Sequence, residues 1–228
     1  MAKKTFLMFF VLALSLPTLS AEDYQFESYA LEVAVRLDNS YAIQEHIVAD
    51  FSSPMHGIFR EIPVLFGRQR VKLTNLEANV PIIKDSVSSG YVTFRLGSED
   101  RTVSGIQEYQ IRYDYAIGDD RNDEYDEFYF NIVGVGWQAP IDHVSFTVNF
   151  PKPIDPSMVF LTGGVYGTTA QRGSFVISAD GKTITGEAEE LYPGEALTLR
   201  VQMEEGYYSD VRPFIDFTVP SSIIALLV

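Results

Sequence analysis

The chain has 228 residues, of which 46% are hydrophobic, and carries a formal net charge of −14. That apolar fraction excludes a disordered polyelectrolyte and is enough for a real core, while the acidity sets the surface against phosphate backbones and anionic lipid headgroups as direct ligands. There is no cysteine, which removes disulfides, thiolate nucleophiles and cysteine-ligated metals together.

At the N-terminus, Lys3 and Lys4 precede an apolar or small run from Phe6 to Leu16, which Pro17 breaks. Thr18-Leu19-Ser20-Ala21 then offers a small residue before Glu22. Residues 1–21 therefore read as a secretory signal helix cleaved after Ala21. The alternative, an uncleaved anchor, suits the segment less well, because the run is too short to span a bilayer comfortably.

From residue 22 onward the dominant period is two, as in half-buried strands. Tyr29, Leu31, Val33, Val35 and Leu37 alternate with Ala30, Glu32, Ala34, Arg36 and Asp38, and Asp38-Asn39-Ser40 supplies a turn. Ile43, Ile47, Ala49 and Phe51 line the next strand, and Ile58, Ile62, Val64 and Phe66 a third. Val92, Phe94 and Leu96 follow the turn at Ser88-Ser89-Gly90, and Tyr109, Ile111, Tyr113, Tyr115 and Ile117 form an aromatic-rich strand. Val144, Phe146, Val148 and Phe150 are stopped by Pro151 and Pro153, which cannot continue a ladder. Phe175 and Ile177 lead through Ala179-Asp180-Gly181-Lys182 to Ile184, a hairpin signal. Leu197, Leu199, Val201 and Met203 give the last strand. No sustained helical period and no internal repeat occur, so the expectation is an all-β, antiparallel sandwich of immunoglobulin-like or jelly-roll-like kind over residues 22–206. A weak boundary at Pro151 to Pro156 leaves too few strands after it for a second sandwich.

The last segment, residues 207–228, ends in Pro220-Ser221-Ser222 and then Ile223-Ile224-Ala225-Leu226-Leu227-Val228. Six apolar residues read as the first turns of a membrane helix, which needs roughly 20 of them. A final strand docked on the sandwich is the competing reading. On the first reading, residues 207–228 are a juxtamembrane segment and the start of an anchor, and the lipid bilayer is a partner.

The order of motifs resembles the N-terminal domain of the YciQ-like predicted membrane proteins, a family of unknown function. The residues that carry the resemblance are Glu45; His56-Gly57-Ile58-Phe59-Arg60-Glu61-Ile62-Pro63; Gly105 with Tyr109, Ile111 and Tyr113; Asp126 to Gly134 with Trp137; and Pro193-Gly194-Glu195-Ala196-Leu197-Thr198. Phe130 stands where that family usually has tryptophan. The resemblance implies an extracytoplasmic domain followed by membrane helices, at the cell membrane and facing the periplasm or exterior. It implies no catalytic residues.

Two charges break apolar faces. Glu45 is in register with Ile43, Ile47, Ala49 and Phe51, and Arg60 with Ile58, Ile62, Val64 and Phe66. An unpaired buried charge costs several kcal/mol. The economical expectation is a Glu45–Arg60 ion pair inside the sandwich, completed by a tyrosine hydroxyl such as Tyr113. The alternative is that local bulges turn either residue outward.

Trp137, the only tryptophan, reads first as a core or edge anchor of the sandwich; the alternative is a surface patch of His56, Tyr125, Tyr129, Asn131 and Trp137, in which Trp137 would stack on a sugar. Asp119, Asp120, Asp123, Glu124, Asp126 and Glu127 crowd one loop, which reads as a solvated turn or as oxygen ligands for calcium. His46 and His143 share no metal-ligand spacing with His56. No Gly-x-Ser-x-Gly elbow, Ser-x-x-Lys pair, His-Glu-x-x-His run or phosphate loop is present. The reading is therefore a non-enzymatic domain without cofactor that senses, scaffolds or docks an unknown protein partner. The alternative is an exported module that binds glycan or cell-wall polymer. Nucleic acid is not a partner.

Overall fold

The computed structural model describes residues 23–211 apart from 67, 68, 89, 121 and 169. The signal segment and the apolar C-terminal hexamer lie outside the described residues. Among the described residues the chain forms fifteen strands, one 3₁₀ turn and no α-helix, so no helix is long and apolar enough to cross a membrane.

In chain order the strands are β1 (Tyr24–Val35), β2 (Ser40–Met55), β3 (Ile58–Pro63), β4 (Leu65–Phe66), β5 (Gln69–Arg70), β6 (Lys72–Ala78), β7 (Ile82–Ser88) and β8 (Tyr91–Leu96). They continue with β9 (Val103–Ala116), β10 (Tyr125–Val133), β11 (Ile141–Asn149), β12 (Val159–Gly164), β13 (Ser174–Ile177), β14 (Thr183–Leu191) and β15 (Ala196–Glu204). A seven-stranded sheet in the order β13-β14-β11-β1-β2-β9-β6 forms one layer. The opposing layer consists of two three-stranded sheets, β10-β15-β12 and β3-β8-β7, and the β4–β5 ribbon extends from β3.

The alternation read from the sequence is what builds the large sheet. In β1, Tyr29, Leu31, Val33 and Val35 are buried, while Ala30, Glu32 and Ala34 are not. Register aligns these rows across the strands: Leu31 faces Glu45 on one side and Phe146 on the other, and Glu45 faces Ile111. The inner face is thus a continuous apolar field, with one carboxylate near its middle. Aromatic rings close the gap to the opposing layer: Phe128 of β10 meets Tyr41 at 5.1 Å and Phe150 at 5.4 Å between ring centroids. Burying one such side chain stabilises by about 1.5–3 kcal/mol, so this layer dominates the fold's energetics.

The sheet is not purely antiparallel, for β1 and β11 run parallel. The four strands after Pro156 join both layers: β15 lies beside β10 with β12 outside it, and β14 lies beside β11 with β13 outside it. β5, β6, β7, β10 and β12 have no counterpart among the strands read from the sequence: no described position of β6 or β7 is fully buried, whereas β12 does alternate, with Val159, Leu161 and Gly163 buried. Tyr207 and Tyr208, placed by sequence in a juxtamembrane segment, belong to the core instead. The Tyr207 hydroxyl bonds to Lys152, the Tyr208 amide donates to Asp126 at 2.9 Å, and the Asp210 amide donates to Leu37 at 3.1 Å. The folded domain therefore extends past residue 206.

Strand directions sort the loops onto two ends. At one end, called apical here, the loop of residues 134–140 is tied to the 192–195 turn by Gly194 N–H donating to Trp137 C=O at 3.1 Å. The 165–173 loop joins them through Arg172 and Glu195, 2.9 Å apart. At the opposite, basal end lie the turn around Asn39, the acidic loop, Lys152 and the last described residues.

Two glycines set the start of β3. Gly57 has φ +103°, and a β-carbon there would stand 1.9 Å from the Leu96 carbonyl oxygen. Gly97 is packed reciprocally, 2.2 Å from the His56 carbonyl oxygen by the same construction. Gly206, at φ +83°, has nothing within 4 Å. Gly206→Ala is expected to cost about 1 kcal/mol from backbone strain alone, and Gly57→Ala well over ~2 kcal/mol because a backbone atom must also move. Urea unfolding of the two variants measures the difference.

Candidate functional site

Glu45 sits on the inner face of β2 and Arg60 on the inner face of β3, so the two charges lie in opposite layers, with 0% and 10% of their side chains exposed. Their contact is bidentate. Arg60 Nε donates to Glu45 Oε2 at 2.8 Å, and Nη2 donates to Oε1 at 2.7 Å. Tyr113 of β9 donates its hydroxyl to Oε1 at 2.6 Å, and Arg60 Nη1 donates to the Glu61 carbonyl. The guanidinium also lies 5.4 Å from the centroid of the Trp137 ring. Carboxylate and guanidinium match as parallel forks, which is why arginine suits this position.

Burial alone would raise the Glu45 carboxyl; the charge of Arg60 and hydrogen bonds from Arg60 and Tyr113 outweigh it and hold the group below the usual carboxylate range. Burial likewise opposes the charged form of Arg60, and Glu45 overcomes it, holding the guanidinium well above its ordinary value. Burial and then the Glu45 charge push the Tyr113 hydroxyl well up, so it stays a donor. The buried Tyr29 hydroxyl feels both charges but has no partner of hydrogen-bonding geometry.

Beside the pair, a cavity of about 80 Å³ opens between β3 and the end of β10, and Arg60, Asn131 and Trp137 are among its lining residues. Tyr113 and Tyr115 contribute to it from the large sheet, and Tyr115 donates its hydroxyl to the Pro63 carbonyl at 2.8 Å. Trp137 is 5% exposed, meets Phe26 edge-on at 4.9 Å and Tyr29 at 6.0 Å, and its indole N–H is buried without an acceptor.

The five residues expected in one patch are dispersed. Asn131 and Trp137 share the cavity, and Asn131 also accepts from Thr198 at 2.8 Å. Tyr129 points outward from β10, opposite Arg200. Tyr125 lies at the basal end near Tyr207, and His56 is beside Ser98, its Nδ1 3.0 Å from that carbonyl. The cause is distance, not facing: Tyr125, Tyr129 and Asn131 share one face of β10, but at about 3.3 Å per residue Tyr125 stands far down the strand from Asn131, and His56 and Trp137 come from other segments. Trp137 packs against Phe26 and Tyr29 and is 5% exposed, so it is a core anchor that also lines the cavity.

In the acidic loop, Asp126 is buried as the acceptor for Tyr208, and Glu127 turns outward to pair with Arg200. Burial, followed by the charges of Asp126 and Asp119, raises Asp120, although backbone hydrogen bonds partly oppose this. Among the described residues no group of three or more His, Asp or Glu side chains is arranged to hold a metal ion. Sequence reasoning missed the Arg60–Trp137 contact and the cavity, since neither leaves a periodic signal.

Fold and site together define a layered all-β domain whose sheets meet at an internally neutralised ion pair. The family model of the predicted membrane protein (DUF2207) N-terminal domain matches residues 25–203, and the chain belongs to that family of membrane-protein domains of unknown function. No curated protein matches it in sequence. Among solved structures it is similar to native leukotriene A4 hydrolase from Saccharomyces cerevisiae, at 6% identity and TM-score 0.45, over 79% of this chain and 29% of that one. It is similar to a putative protease from Parabacteroides distasonis, at 12% identity and TM-score 0.44, over 80% of this chain and 41% of that one. A third likeness is to the M1 zinc metallopeptidase from Deinococcus radiodurans, at 10% identity and TM-score 0.38, over 78% of this chain and 42% of that one. The chain thus spans less than half the length of each, and likenesses this remote say nothing of activity.

The pair makes stability depend on acid in a definite direction. Unfolded, Glu45 titrates near about 4.3; folded, it titrates lower. Its contribution is therefore complete above about 4.3 and is lost as pH falls through the folded value. Glu45→Gln cannot ionise, so the stability gap between wild type and variant is expected to be widest near neutrality and to shrink in acid. Urea midpoints measured from neutral pH down to about pH 2 check this, and parallel curves would contradict it.

Proposed function

We propose that this is an extracytoplasmic docking domain of a YciQ-like membrane protein, and that it works by binding a protein partner rather than by catalysis. The observation behind this reading is the separation of its two ends. Val135, Val165, Tyr166 and Tyr192 are exposed apolar or aromatic side chains on the apical loops, and Tyr166, at 96%, is almost wholly in solvent. Exposed aromatic residues gathered on loops favour a protein partner. The last described residues lie at the other end, among Asp119, Asp120, Asp123 and Glu205, whose mutual repulsion helps raise the Glu205 carboxyl after burial. An acidic basal face repels anionic headgroups, so a domain tethered there stands away from the bilayer with its apical loops outward.

The chain lacks cysteine, which makes the test direct. Tyr166→Cys and Asp123→Cys are placed singly in the membrane-embedded protein of intact cells. Both are expected to react with a membrane-impermeant maleimide without lysis. A cysteine-directed photocrosslinker at position 166 is expected to give a discrete adduct with another protein, and one at position 123 none. Labelling that requires lysis, or an adduct only at position 123, would overturn the reading.

A further inference from the structure

We propose that the cavity between β3 and β10 is a single-residue pocket for a proline in an uncharged, extended segment of a partner protein. Its size comes first. Sites for whole small molecules run to about 300–1,000 Å³, whereas this cavity is about 80 Å³, room for one small side chain or ring. Its walls come next: Phe59, Tyr91, Tyr113, Tyr115, Phe130 and Trp137 all line it. Aromatic-lined slots of this kind hold proline in the polyproline conformation, because the ring is apolar and its segment is already ordered before binding.

Charge and hydrogen bonding narrow the ligand further. Arg60 is the cation in the wall, but Glu45 neutralises it through two hydrogen bonds and Glu61 adds a carboxylate to the lining beside Gly136, so the pocket does not call for an anionic ligand. The Trp137 indole N–H is buried and has no acceptor, an exception that buried polar groups rarely show. A peptide carbonyl next to the proline supplies the missing acceptor. β3 and β10 are both strands with a ladder on one side only, which leaves a trough for an extended chain between them. A full added strand is disfavoured on the β3 side, because Arg60 and Tyr115 already donate to the Glu61 and Pro63 carbonyls. Proline, which has no amide N–H to place in a ladder, fits that restriction. The segment Gly134-Val135-Gly136 forms one wall, and a side chain at Gly134 would meet nothing within 4 Å.

This proposal rests on the docking reading but is tested apart from it, since it needs neither membrane nor partner. Trp137 is the only tryptophan, so a ¹⁵N-labelled full chain gives one tryptophan indole N–H resonance. The probe is the capped peptide acetyl-Ala-Pro-Pro-Ala-Pro-amide, with capped penta-alanine as control. The proline peptide is expected to move the resonance downfield and saturably, with the control about tenfold weaker or worse. Gly134→Leu, which adds bulk to the cavity wall, and the wall variant Phe59→Ala, at a half-exposed position, are both expected to keep the dispersed spectrum and lose the response. No saturable shift at millimolar peptide, an equal shift with penta-alanine, or an undiminished response in both variants would overturn the proposal. If it fails while crosslinks at position 166 persist, the docking reading stands without this pocket.

Discussion

A carboxylate with no surface in contact with solvent survives in a protein interior only if something replaces its hydration. Here the replacement comes from the opposite layer, where the fork of Arg60 closes on both oxygens of Glu45 and Tyr113 adds a third donor. Two ions have been taken from water, each at an effective cost of several kcal/mol, so the net stabilisation relative to a greasy pair is small. The penalty for any other arrangement is what counts. If β3 slipped by one residue, Arg60 would turn to solvent and Glu45 would remain buried without compensation. The pair thus fixes how the small sheet β3-β8-β7 seats on the large one, and with it the position of the cavity wall.

This explains why some of the molecule was legible in the sequence. Period-two alternation marks a face as buried whatever strand lies beside it, so β1, β2, β9, β11 and β15 could be read one at a time. Glu45 and Arg60 were conspicuous because each interrupts such a face, and two interruptions of opposite sign suggest a meeting. The neighbours of each strand were not legible. β1 and β11 show the same alternation whether they run parallel or antiparallel, and only the three-dimensional path of the chain decides. β6 has no fully buried position, and Asn75, at φ 55°, interrupts it. Trp137 follows Gly134-Val135-Gly136, a setting that fits a core anchor or an exposed ring alike, and only the packing of Phe26 and Tyr29 against it decides for the anchor.

The organisation that results keeps three jobs apart. The junction of the layers carries the charge pair and stays inside. The apical loops carry apolar side chains left exposed among the described residues, and the basal end gathers carboxylates near the last of those residues. On the docking reading proposed above, this separation keeps surfaces of different chemistry from competing for one contact. The cavity lies between the first two regions: its wall shares Arg60 with the junction and Val135 with the apical loops.

The account depends on Glu45 and Arg60 acting as a unit, and a double-mutant cycle of unfolding free energies measures that unit directly. Glu45→Ala and Arg60→Ala are each expected to cost about 3–5 kcal/mol, because each strands the other charge in the interior. The double variant is expected to cost scarcely more than the worse single one, leaving a coupling of several kcal/mol between the two sites. Additive losses would mean that the two side chains do not depend on each other, and the seating of the small sheet would then need another cause.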